Sequence, residues 1–129
     1  MKVIYVSGCY TKGGEASVEE MIKNFFTAMH YSYSLMEVGY GVMSPILNTA
    51  YDCLYRIMGK EIKIPYENFL KFDLRILAAC DAVFMMPGWE KSKGARMERD
   101  RAIKLGMPIY YSLAYAKKVL RYSKLDKED

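Results

Sequence analysis

Residues 82–98 constrain the fold more than any other stretch. The apolar run 82–86 leads into Pro87-Gly88-Trp89-Glu90-Lys91-Ser92-Lys93-Gly94, and a helical pattern follows. A strand, a glycine-bearing loop and a helix N-terminus in that order make a place for an anion, because free backbone N–H groups and the helix dipole point into the loop. On that helix Gly94 and Ala95 lie one turn before Glu98, and Ala102 lies one turn after it. A carboxylate on a face of small apolar neighbours, one turn inside such a loop, is a candidate for chemistry.

The rest of the chain repeats the alternation. Residues 2–7 hold the contiguous Val3, Ile4, Tyr5 and Val6, as in a strand buried on both faces. Residues 8–14 form a glycine-rich turn. A helix is expected from 15 or 16 to 29, with 31–37 as its continuation. A short strand is expected over 42–46, ending near Pro45, then helices over 48–58 and 66–80. The strand at 82–86 precedes a helix from 92 to 105 that stops at Gly106. A strand at 108–112 and a helix from 113 to about 122 complete the order. Strands alternating with helices imply a parallel sheet, hence a single-domain, doubly wound α/β fold of the flavodoxin or Rossmann type. Residues 1–123 form that domain, and 124–129 are a charged tail. Ligands bind such sheets beyond the carboxyl ends of the strands. Loops 8–14 and 87–94 both end there.

Composition narrows the class. With 129 residues, 52% hydrophobic and 26% charged, the chain reads as one soluble domain. No apolar run approaches about 18 residues, so no membrane span is expected. The N-terminus reads as a strand rather than a signal peptide. Cys9, Cys53 and Cys80 are odd in number and lack CxxC spacing. That argues against a disulfide or zinc framework and for a reducing, cytoplasmic setting. The net charge of +4 suits an anionic small molecule and does not argue for nucleic acid. Lysines and arginines from 117 to 127 read as a solvated helix face.

Asp73 is the second unusual carboxylate. Phe69, Leu70, Ile76 and Leu77 surround it at i±3 and i±4. Desolvation raises the pKa of such a group and fits it to act as a general acid. The alternative is a local pair with Lys71 or Arg75, and for Glu98 a surface pair with Arg99 or Arg101. Two carboxylates converging on one pocket are what glycosidic-bond cleavage needs. Loop 8–14 is neither GxxxxGK[ST] nor GxGxxG, yet it could offer N–H groups and Lys12 to a phosphate. Ser92 is a plausible N-cap whose hydroxyl faces whatever sits on the helix N-terminus. Trp89 is open to base stacking or to packing. The single histidine, His30, reads as structural, and no cluster has metal-ligand spacing.

These pieces, in order, resemble the nucleoside 2-deoxyribosyltransferase-like superfamily, closest to small 2′-deoxynucleoside 5′-phosphate N-hydrolases. The resemblance rests on residues 4–8 with Lys12-Gly13-Gly14, on Gly41-Val42-Met43-Ser44-Pro45, and on Asp73-Leu74 with Asp81. It is completed by Gly88-Trp89-Glu90, Ser92, Gly94-Ala95, Glu98 and Ala102. It implies that Glu98 attacks the anomeric carbon, that Asp73 assists departure of the base and that Tyr5 orients Glu98. It places Ser7, Gly8, Cys9, Lys12 and Gly13 around the sugar and its 5′ end, with Gly88, Trp89, Ser92 and Gly94 completing the binding site. Ser92 falls where transferases acting on free nucleosides carry an Asp and nucleotide hydrolases a Ser. The implied activity is hydrolysis of the base–sugar bond of a (deoxy)ribonucleoside 5′-monophosphate, without metal or redox cofactor. The implied assembly is a homodimer or larger oligomer with a shared site, Ser112 being a candidate contribution from a neighbour. Base exchange between deoxynucleosides and silent nucleotide binding are the alternative readings, beside a protein-binding α/β domain.

Overall fold

The computed structural model describes residues 1–10 and 15–127. Ten elements follow in order. They are β1 (Val3–Ser7), α1 (Val18–Glu37), β2 (Gly41–Met43), α2 (Ile46–Ile57), α3 (Tyr66–Ala78), β3 (Ala82–Met85), a 3₁₀ turn (Trp89–Lys91), α4 (Lys93–Lys104), β4 (Ile109–Tyr110) and α5 (Leu113–Lys127). The four strands form one parallel sheet in the order β2-β1-β3-β4. This is the doubly wound α/β architecture expected. The chain steps from β1 to β2 on one side, then returns to β3 on the other. The direction of winding therefore reverses between β1 and β3, where a crevice opens at the strands' carboxyl ends.

Side-chain alternation divides the central strands between two cores. Ile4, Val6, Ala82, Phe84 and Met86 face Ala28 and Leu35 of α1 and Ala116 and Leu120 of α5. Tyr5, Val83 and Met85 face Leu77 of α3 and Ala95 and Ala102 of α4. Ile4, Val6, Val83 and Phe84 are fully buried, each stabilising the fold by roughly 1.5–3 kcal/mol. Strand pairing is reinforced where Asp81 Oδ2 accepts from the Val3 N–H at 2.7 Å. No helix among the described residues is long and apolar enough to cross a membrane.

Local chemistry explains where the boundaries differ from the sequence reading. The first helix starts at Val18 because Ser17 and Glu20 form a reciprocal capping box, each side chain serving the other's backbone N–H. It continues unbroken to Glu37 because Met21, Ala28 and Leu35 keep one face in the core. The second strand is only three residues long, and Pro45, with no N–H to donate, caps α2 instead. The 3₁₀ turn was not anticipated, and α5 runs to Lys127, past 122 and into the tail expected at 124–129.

Because the capping box sets the start of the longest helix, Ser17→Ala should cost about 1 kcal/mol. Thermal unfolding should fall by roughly 3 °C, and an unchanged midpoint would show that the box contributes nothing.

Candidate active site at the crevice between the first and third strands

The site is built on the face of β1 that carries Tyr5 and Ser7, two residues apart and so pointing the same way. The helix α4 lies over that face. Its buried positions are Gly94, Ala95, Glu98 and Ala102. Three of the four are glycine or alanine, which lets the helix approach the sheet closely enough to set Glu98 against β1. Gly94 gives room to the neighbouring helix instead: a Cβ there would lie 2.7 Å from the hydroxyl of Tyr66 on α3.

Glu98 is only 4% exposed. Both of its oxygens are engaged. The Tyr5 hydroxyl donates to Oε2, and the Ser7 hydroxyl donates to Oε1 at 2.7 Å. Burial pushes the Glu98 carboxyl up to about 7, with the nearby Asp73 adding to the rise and the two hydroxyls opposing it. Burial and the neighbouring Glu98 carry the Tyr5 phenol well above its ordinary value, so it remains a donor.

Asp73 projects from α3 beside the same group. It lines a cavity of about 440 Å³ with Tyr5, Asn68, Phe69, Phe72 and Ile76, closed on the far side by Met43, Ser44 and Pro45. That volume is within the range of small-ligand pockets. Tyr5 therefore joins the two carboxylates, bonding Glu98 and lining the cavity that Asp73 enters. Asp73 lines the cavity and Glu98 does not; of the apolar neighbours that singled out Asp73, Phe69 and Ile76 are cavity wall and Leu77 is core.

The loops at this edge are anchored by hydrogen bonds. The Tyr10 hydroxyl donates to the Val6 carbonyl at 3.0 Å and lies 2.8 Å from Ser44 Oγ. Asn24 Nδ2 of α1 donates to the Tyr10 carbonyl at 2.8 Å. Gly8 packs against Met86, whose methyl would collide with a Cβ. Cys9 is half-buried, with its thiol free, and faces the Tyr66 phenol electrostatically. Lys12 and Gly13 lie outside the described residues.

Gly88 adopts φ +89°, a left-handed turn that favours glycine. It turns the chain from β3 into the 3₁₀ turn. Ser92 is buried and is the N-cap of α4, accepting from the Ala95 N–H at 3.1 Å. Trp89 stacks under the Arg99 guanidinium at 5.1 Å and beside Tyr111 at 5.8 Å, and Arg99 donates to the Tyr111 hydroxyl. Its indole is thus engaged in a side-chain stack. Among the described residues, no group of three His, Cys, Asp or Glu is placed to hold a metal ion.

Tyr66 and Tyr10 are the residues that sequence reasoning missed. Tyr66 begins α3 and precedes Asp73 by seven positions, which puts both on one helix face. Nearby Glu98 and Asp73 add to burial in raising its phenol. That spacing was a usable signal.

The raised value of buried Glu98 has a consequence for stability. Its folded-state value lies above that of an exposed glutamate, so the folded protein holds an extra proton between about 4.5 and about 7. The stabilisation is full below that window and is lost as pH rises through about 7, in total of order 3 kcal/mol. Glu98→Gln should flatten the fall in unfolding free energy between pH 5 and pH 8. Equal pH slopes in denaturant titrations of the two proteins would contradict the raised value.

A family model described as Domain of unknown function (DUF4406) matches residues 2–111. That span runs from β1 through β4 and includes Tyr5, Ser7, Asp73, Ser92 and Glu98. No curated protein matches the chain.

Proposed function

Because the chain belongs to the DUF4406 family, whose description names no activity, we propose its function from the site: an N-glycosidase that hydrolyses the base–sugar bond of a (deoxy)ribonucleoside 5′-monophosphate. The observation that carries the reading is a buried glutamate held by two hydroxyls at the sheet's switch point, beside a cavity that a second carboxylate enters.

The reaction is a double displacement. An oxygen of the ionised Glu98 attacks the anomeric carbon and forms an ester as the bond to the base nitrogen breaks. Asp73 gives its proton to the departing base. Water then attacks the same carbon, returns a proton to Asp73 and releases Glu98 and the sugar phosphate. Tyr5 and Ser7 hold the nucleophile in one orientation, which lowers the entropy lost on reaching the transition state. The aromatic and aliphatic wall at Phe69, Phe72 and Ile76 suits the flat face of a base. The N-terminus of α4, capped by Ser92, suits the phosphate. The three free thiols fit a cytoplasmic setting, and an oligomer that completes the site fits its open edge.

The test is incubation with a panel of nucleosides and their 5′-monophosphates, with free base read by chromatography. Base should appear from monophosphates, and Glu98→Ala should lower the rate by about a thousand-fold or more. No release from any member, with a nucleotide bound and recovered unchanged, would replace this reading with silent binding.

Ser92 gives a second test, because Asp is an equally good N-cap and should leave the fold intact. A carboxylate there repels a phosphate. Ser92→Asp should therefore shift the ratio of kcat/KM toward unphosphorylated nucleosides by about ten-fold or more. An unchanged ratio would remove Ser92 from phosphate recognition.

A further inference from the structure

The crevice does not end at the cavity that Asp73 enters. Tyr51, Ile64 and Phe69 wall that cavity and also wall a second one, of about 680 Å³. Either is large enough for a small ligand by itself. Tyr5 and Asp73 line the first alone. The second therefore opens from the Phe69 side of the first, where the flat face of a base fits, and away from the reacting carboxylates.

The second cavity forms where α2 hands over to α3. Gly59, at φ +71°, turns the chain at the end of α2. The Lys60 N–H then donates to the Tyr55 carbonyl at 2.8 Å, which pins the start of the connector to the helix. Arg56 fixes that helix in turn, bonding Asp52 at 3.0 Å and the Ala16 carbonyl. The connector runs through residues 60–64 to Pro65, the N-cap of α3. These bonds shape the cavity in advance, which lowers the cost of filling it.

Its lining has two kinds of chemistry. The rings of Tyr51 and Tyr55 and the side chains of Ile62 and Ile64 give it an apolar body. Tyr51 and Ile64 are each 54% exposed, so ligand contact there removes apolar surface from water. Lys60, Glu61 and Lys63 line it from the connector, all exposed. Lys60 Nζ lies 6.0 Å from the centre of the Tyr55 ring. Two ammonium groups against one carboxylate leave the rim positive. An apolar body with a positive rim suits an aryl or alkyl arm that ends in an acid.

We propose that the second cavity is a specificity pocket for a substituent on the base, and that the preferred substrates are nucleotides whose base carries a bulky arm with an acidic end. The inference rests on the glycosidase reading for where the base lies. The arm would leave the base past Phe69, lie against Tyr51 and Tyr55, and bring its acid to Lys63 and Lys60.

Adenosine and cytidine 5′-monophosphates, plain or carrying a benzyl or a 4-carboxybenzyl group on the exocyclic nitrogen, test this. Affinity is read by titration calorimetry on the Glu98→Gln protein, and kcat/KM on the unmodified one. In at least one base series the benzyl arm should tighten binding by about ten-fold, and its carboxylate by about three-fold more. Ile62→Trp, which fills the second cavity from the connector, should bring the ratio of benzyl to plain nucleotide close to one. Lys63→Glu should make the carboxybenzyl nucleotide bind more weakly than the benzyl one. Arms that bind no better than plain nucleotides in both series would overturn the proposal, as would a preference indifferent to Ile62→Trp and Lys63→Glu. Tighter binding of the arms without base release from any nucleotide would uphold the pocket and remove the glycosidase reading instead.

Discussion

The structure around the crevice depends on one costly arrangement, a carboxyl group buried between a helix and a parallel sheet. An isolated buried carboxylate would cost several kcal/mol. Glu98 is tolerated because β1 presents two hydroxyls at alternate positions, one for each oxygen, and because the group can take up a proton near neutrality. The small residues of α4 are the other half of the arrangement. With larger side chains at 95 or 102, which pack against Tyr5 and Val83, the helix would stand off and the hydroxyls could not reach.

The same constraint explains the position of the cavity. Ser7 is the last residue of β1, and Tyr5, in the middle of the strand, sends its hydroxyl to the same carboxyl group. The reversal of winding between β1 and β3 leaves space beside that end. The helix α3 and the loop after β2 wall the space. Tyr10 ties the first loop to Ser44 on the second, so the two edges of the crevice are positioned by one side chain.

Much of this was legible in the sequence, for physical reasons that differ by residue. Glu98 and Asp73 stood out because helical spacing reveals a charged residue with apolar neighbours one turn away. Tyr5 and Ser7 could not be paired with Glu98 from pattern alone. A strand buried on both faces is apolar throughout, and its alternation does not say which face receives which helix. Tyr66 was hidden among twelve tyrosines, although its seven-residue offset from Asp73 placed it on the same face. In α1 the sequence showed apolar residues at helical spacing but could not separate Met21 from Ile22. A helix that is apolar on two sides has no single stripe, and only packing against the sheet assigns the inner one.

The hydrogen bonds to Glu98 also fix what the group can do with a proton. Ionised, it accepts from both Tyr5 and Ser7, and each hydroxyl has one hydrogen to give. Protonated, it must itself donate, and one hydroxyl has to turn and accept. The Ser7 hydroxyl turns about a single bond at little cost. The phenol of Tyr5 is held as a donor by its high pKa and its burial. The pair therefore has a division of labour. Tyr5 fixes the carboxyl in place in both states, while Ser7 adapts to the proton. A group set near pH 7 in this way changes charge without moving.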